Sequence, residues 1–127
     1  MRRGGWSASL ALAAAGLLLA APSRADDPIW TQQSAYSLSV GQSVLIYALR
    51  AKECGGAAPS YDEIRGRLPR STTGAYSDGG TVQRKSDSCR TGNRQDWIHA
   101  RGITFTATKP GSEILRFDRD PISVSVR

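Results

Sequence analysis

An all-β fold, a small antiparallel β-sandwich with a loop-rich, disulfide-tethered middle, is what this sequence predicts, and three observations predict it. Apolar residues alternate with serine or threonine near both ends of the chain, no stretch after Ala25 sustains a helical period, and Cys54 and Cys89 bracket a glycine-rich centre.

The N-terminus comes first because it sets the compartment. Arg2 and Arg3 form a positive start, and Leu10 to Ala21 is an uncharged apolar run, too short to span a bilayer as a helix. Ser23 and Ala25 place small residues at the two positions a signal peptidase reads, so residues 1–25 are expected to be a cleaved signal peptide. The arginine pair also admits a twin-arginine route, although Gly4, Gly5 and Trp6 do not complete that motif. No cysteine lies near the cut to carry a lipid. The expected localisation is periplasmic or secreted, with residues 26–127 as a single domain and no membrane span.

Within that domain Tyr36, Leu38 and Val40 alternate with Ser37 and Ser39, and Gly41-Gln42 turns the chain into Val44-Leu45-Ile46-Tyr47, which predicts two strands. Ile103, Phe105 and Ala107 alternate with Thr104, Thr106 and Thr108 before a Lys109-Pro110-Gly111 turn. Leu115 and Phe117 belong to the next strand, Asp118 to Pro121 is a turn, and Ile122, Val124 and Val126 alternate in a closing strand. Such half-apolar strands suit sheets with one side on a core and one in water. From Ala51 to Arg101 the glycines and prolines instead predict loops, with a helical turn or short strand at Tyr61 to Leu68 and an edge strand at Thr81 to Lys85.

A chain this short buries a modest core, so a covalent tie matters. Two cysteines in an oxidising compartment have one intramolecular pairing, and a Cys54–Cys89 disulfide is expected. In the chain-entropy account it stabilises the fold by about 4 kcal/mol, a figure comparable with the whole stability of a small domain.

Catalytic chemistry finds few candidates. His99 is the single histidine, no Gly-x-Ser-x-Gly elbow is present, and one histidine with two mutually paired cysteines does not fill a zinc shell. Asp118 and Asp120 flank Arg119, which reads as a charged turn rather than a calcium loop. No catalytic residue, metal or cofactor is therefore expected. Charge is more informative. Residues 26–127 carry 14 Lys and Arg (17 minus Arg2, Arg3 and Arg24) against 11 acids, a net of +3. Arg65, Arg67, Arg70, Arg84, Lys85, Arg90 and Arg94 meet only Asp78 and Asp87 between residues 65 and 94, so this stretch is +5 and the rest is −2. These seven cations, with Tyr76 and Trp97 as stacking faces, form the expected binding region. Its partner is expected to be anionic: a protein face, a glycan or another component of the cell envelope. The compartment and the absence of aromatic-basic motifs argue against nucleic acid.

The run ITFTATKPGSEILRF followed by ISVSV resembles secreted bacterial immunoglobulin-like sandwich domains. In antibody-type domains a tryptophan lies between two cysteines that join the sheets. None lies between Cys54 and Cys89, which implies a bridge from loop to loop. Ser71-Thr72-Thr73-Gly74-Ala75-Tyr76, Asp78-Gly79-Gly80 and Arg119-Asp120-Pro121 are similar to pieces of the three loops with which chagasin-like proteins block papain-type cysteine proteases. Here Asp120 splits the Arg-Pro pair, and the glycines follow the first loop at once. The leading expectation is an exported, non-enzymatic binding domain for an anionic partner, and the alternative is a chagasin-like cysteine protease inhibitor.

Overall fold

Alternation at the chain ends does what its period requires. The computed structural model describes residues 27–127, and the expected signal peptide with its cut after Ala25 lies outside them. Among the described residues six strands form: β1 (Ala35–Leu38), β2 (Ser43–Arg50), β3 (Gly74–Thr91), β4 (Arg94–Ala107), β5 (Gly111–Phe117) and β6 (Asp120–Val126). They make two three-stranded sheets, ordered β1-β6-β5 and β2-β4-β3. Leu38, Leu115, Phe117, Ile122, Val124 and Val126 of the first sheet share one core with Ile46, Tyr47, Leu49, Val82, Ile103 and Phe105 of the second. Among the described residues no helix is long and apolar enough to cross a membrane.

The fold is the expected all-β, mainly antiparallel sandwich, and two details differ from the expectation. Antiparallel pairing holds for β2–β4, β3–β4 and β5–β6, but β1 runs parallel to β6, with Ala35 opposite Ser123 and Leu38 opposite Val126. The turn at residues 39–42 carries the chain out of one sheet into the other, anchored by Gly41 N to Ala107 O at 2.7 Å and Ala107 N to Gln42 O at 2.9 Å. The centre is also less irregular than its glycines suggest. Residues 51–73 hold only a short helix, α1 (Tyr61–Ile64), and a following 3-10 turn, but residues 74–107 form one long β3–β4 hairpin. Gly79 and Gly80 mark a bulge in β3 rather than a break: the register shifts between Asp78 and Thr81, and a side chain on Gly79 would meet Leu45 and the Gly102 backbone. Gly92 (φ 63) opens the two-residue turn that joins β3 to β4.

α1 starts at a capping box, in which the Ser60 hydroxyl accepts from Glu63 N and the Glu63 carboxylate accepts from Ser60 N. Its Ile64 is buried. The Cys54–Cys89 disulfide is present, with Cα atoms 5.7 Å apart. Cys54 lies in the turn after β2 and Cys89 within β3, so the bridge joins a loop to a strand instead of a loop to a loop.

Aromatic rings join the two layers. Phe117 of β5 stacks on Tyr47 of β2 with centroids 4.9 Å apart, and meets Tyr76 of β3 edge-on at 5.9 Å. At the other end of β5, Glu113 enters a cradle made by the Ser71–Gly74 segment. Its carboxylate accepts from Ser71 Oγ at 2.6 Å, from Thr72 N and Thr73 N at 3.0 Å each, and from Thr73 Oγ1. Burial pushes the Glu113 pKa up, but the Ser71 and Thr73 hydroxyls and the Thr72 and Thr73 amides outweigh it and hold it below the ordinary 4.5.

Phe117→Ala is expected to cost about 3–5 kcal/mol, read as a lower urea midpoint at unchanged slope. Since folding lowers the Glu113 pKa, its stabilisation is complete above 4.5 and disappears as pH falls through the lower folded value. Glu113→Gln should cost about 1.5–3 kcal/mol at neutral pH and flatten the acid limb of a stability-versus-pH curve; an unchanged limb would assign acid sensitivity elsewhere.

Candidate functional site

The far half of the β3–β4 hairpin carries the site, and the N-terminal segment forms its second wall. Pro28 to Trp30 runs along the edge of β3, with Trp30 N donating to Gln83 O and Gln83 N to Pro28 O, both at 2.8 Å. His99, opposite Gln83 in the register, brings Nδ1 to 3.5 Å from Asp27 Oδ2, and so helps hold the same segment. Trp30 turns inward, where its indole N–H donates to Leu45 O at 2.9 Å and its ring meets Tyr47 edge-on at 5.4 Å.

Arg84 closes this inner layer. Its guanidinium lies 5.0 Å from the Trp30 ring centroid and 5.2 Å from that of Tyr47, and donates to Ala48 O at 2.6 Å and Gln32 Oε1 at 3.3 Å. Burial pushes the Tyr47 hydroxyl up to about 12; its hydrogen bond to Asp120 adds to the rise and Arg84 opposes it. The phenol therefore stays neutral at any ordinary pH, a donor to the carboxylate.

Lys85, next in the chain, points the other way. It stands opposite Trp97, and its ammonium lies 5.3 Å from the Trp97 ring, which remains 47% exposed. Gln95 shares the Trp97 face by alternation along β4, and Arg90 opposite it follows. Gln95 donates to the Asp87 carboxylate, and Arg90 Nε donates to the Asp87 carbonyl at 2.9 Å. Trp30, Thr31 and Gln32 on one side and Lys85, Asp87, Gln95 and Trp97 on the other enclose a groove of about 320 Å³, with Arg84 at its base. The exposed indole distinguishes it from the hollow over the first sheet, whose outward residues include Ser37, Ser112, Ser123, Ser125 and Ile114. Among the described residues no cluster of three or more His, Cys, Asp or Glu is placed to hold a metal ion.

The structure divides the expected binding residues. Lys85, Arg90 and Trp97 share a face; Arg84 is built into the inner layer; Arg94 stands opposite Thr91 beside the hairpin turn. Arg65 and Arg67 belong to the segment after α1, where they pair with Asp62 at 3.6 Å and Asp118 at 3.0 Å, and Arg70 follows them as an exposed side chain. Tyr76 is partly buried and packs against the core, its ring against Phe105 and Phe117 and its hydroxyl buried, with its pKa raised strongly by burial. Gln32, Asp87 and Gln95 were not legible as site residues, because only the hairpin register and the returning N-terminal segment bring them together. The three inhibitor-like segments separate as well. Ser71–Gly74 abuts the β4–β5 turn, with Thr108 N donating to Thr73 O at 2.8 Å, whereas Arg119 sits in the β5–β6 turn, roughly 20 Å away along β5. Asp78 caps the β3 bulge, accepting from Gly80 N at 2.8 Å.

Compared with known proteins, the chain matches no family model, and neither a curated protein nor a solved structure is significantly similar to it.

Arg84→Met is expected to cost about 2–3 kcal/mol through the lost carbonyl hydrogen bond and ring contacts, whereas Lys85→Gln should stay within about 0.5 kcal/mol of the parent in the same urea titration. Equal losses would mean that the two cations do not divide into an inner and an outer role.

Proposed function

We propose that this protein is an exported, non-catalytic binding domain that takes an acidic glycan in the groove between Trp30 and Trp97. The half-exposed Trp97 ring beside the Lys85 ammonium carries this reading. A pyranose ring needs an apolar face to stack on and flat polar groups around its hydroxyls, and the indole with the Gln32 and Gln95 amides and the Asp87 carboxylate supplies both kinds. Lys85 and Arg90 on that face favour a ligand bearing carboxylate or phosphate over a neutral one. A non-catalytic role fits the engagement of the only histidine with Asp27. Export rests on the apolar N-terminal run and its small-residue cut site, and a disulfide suits an oxidising compartment.

Calorimetric titration with a polyuronate and with a neutral polysaccharide of matched length tests this reading. The acidic polymer should bind and the neutral one should not. Trp97→Ala should weaken binding at least tenfold, about 1.4 kcal/mol, while Lys85→Gln weakens it less and flattens its salt dependence. Affinity unchanged by Trp97→Ala, or no binding of the polyuronate by the parent, would sink the proposal.

A further inference from the structure

Away from the groove, the disulfide has an unusual neighbour. Arg50, the last residue of β2, lays its guanidinium against both sulfurs: Nη2 is 3.3 Å from Cys89 Sγ and 3.8 Å from Cys54 Sγ. Three further contacts hold it there: Nη1 donates to Ser86 Oγ at 3.3 Å and to Ser88 Oγ, and Nε donates to Ala51 O at 3.1 Å. The two sulfurs differ in access. Cys54 is exposed in its turn, whereas Cys89 is 1% exposed within β3.

A disulfide sulfur is a weak acceptor, so a full positive charge gains little from lying against it. A thiolate in the same place gains a charge-assisted hydrogen bond. The arrangement therefore favours the product of reduction over the disulfide, and a sulfur whose thiolate is stabilised leaves faster in exchange.

We propose that Cys54–Cys89 is a thiol-exchange site whose co-reactant is a dithiol. A thiolate of the dithiol attacks the exposed Cys54 Sγ, the new S–S bond forms there, and the electron pair of the old bond leaves on Cys89 Sγ beside Arg50. The second thiol of the reductant, deprotonated, attacks its own sulfur in the mixed disulfide and releases Cys54 as thiolate, which takes a proton from water. Two electrons pass to the protein, and the dithiol becomes a cyclic disulfide. Attack on Cys89 is disfavoured by its burial, so the order of cleavage is set.

The test equilibrates the purified protein with reduced and oxidised dithiothreitol and counts free thiols by alkylation and mass spectrometry. Arg50→Met should shift the equilibrium at least tenfold toward the disulfide, about 30 mV, and Arg50→Lys should shift it less. An unchanged equilibrium in Arg50→Met, or a shift toward the dithiol form, overturns the proposal. A second measurement needs no variant. Brief exposure of the parent to a monothiol followed by peptide mapping should place the mixed disulfide on Cys54, and an adduct on Cys89 would equally overturn it.

Discussion

Docking of β5 is the constraint on which the rest of this structure depends. Alternation along the strand turns Glu113, Leu115 and Phe117 to one side, and each is received differently: the carboxylate by the Ser71–Gly74 cradle, Leu115 by the common core, and the ring by Tyr47 and Tyr76 of the opposite sheet. β5 is an edge of its sheet, where open backbone groups invite pairing with other chains. A charged residue on the inward side of an edge strand discourages a foreign strand, which would have to match that charge, while its own cradle satisfies it here. One residue thus ties a loop to the sheet and guards the sheet's margin.

With the layers locked at β5, the β3–β4 hairpin is free to run on past them. Val82 and Ala100 are the last cross-strand pair belonging to the shared core, and the hairpin continues beyond them to Thr91 and Arg94. Beyond that pair no hairpin residue belongs to the shared core, although Ile98 and Cys89 are buried. The extension is held by the disulfide through Cys89, by Arg50 between Ser86 and Ser88, and by Trp30 and Arg84 at its base. The groove therefore lies on a projecting part of the molecule that has covalent and cationic support on one flank and an aromatic footing on the other.

How much of this was legible in the sequence depends on what each residue faces. β1, β2, β5 and β6 were legible because one side of each meets the core, and the alternation records that fact residue by residue. β3 was legible only as the edge strand at Thr81 to Lys85, since its polar side chains show no clear period elsewhere and Gly79-Gly80 reads as a break when taken without its partner strand. The Gly92-Asn93 pair between Thr91 and Arg94 is a two-residue hairpin signal that the neighbouring glycines obscured. In the site, Trp97 and Lys85 stood out by type. Tyr76 and Arg84 stood out equally and belong to the interior, and Glu113 and Arg50 gave no sign of their partners, which come from 40 and 39 residues away.

Arg84 and Lys85 show why composition alone does not locate such a site. They are adjacent cations, yet the register sets Arg84 opposite the buried Ile98 and Lys85 opposite the exposed Trp97. In a strand, successive side chains take opposite faces, so a slip of one residue would exchange the two roles, placing an ammonium among the Trp30 and Tyr47 rings and a guanidinium on the surface. An ammonium cannot span Ala48 O and Gln32 Oε1 as the forked guanidinium does, so the inner position discriminates between the two side chains while the outer one does not. The preference of the inner layer for arginine thus helps fix the register of the whole hairpin, and that register is what presents Lys85 and Trp97 together at the groove.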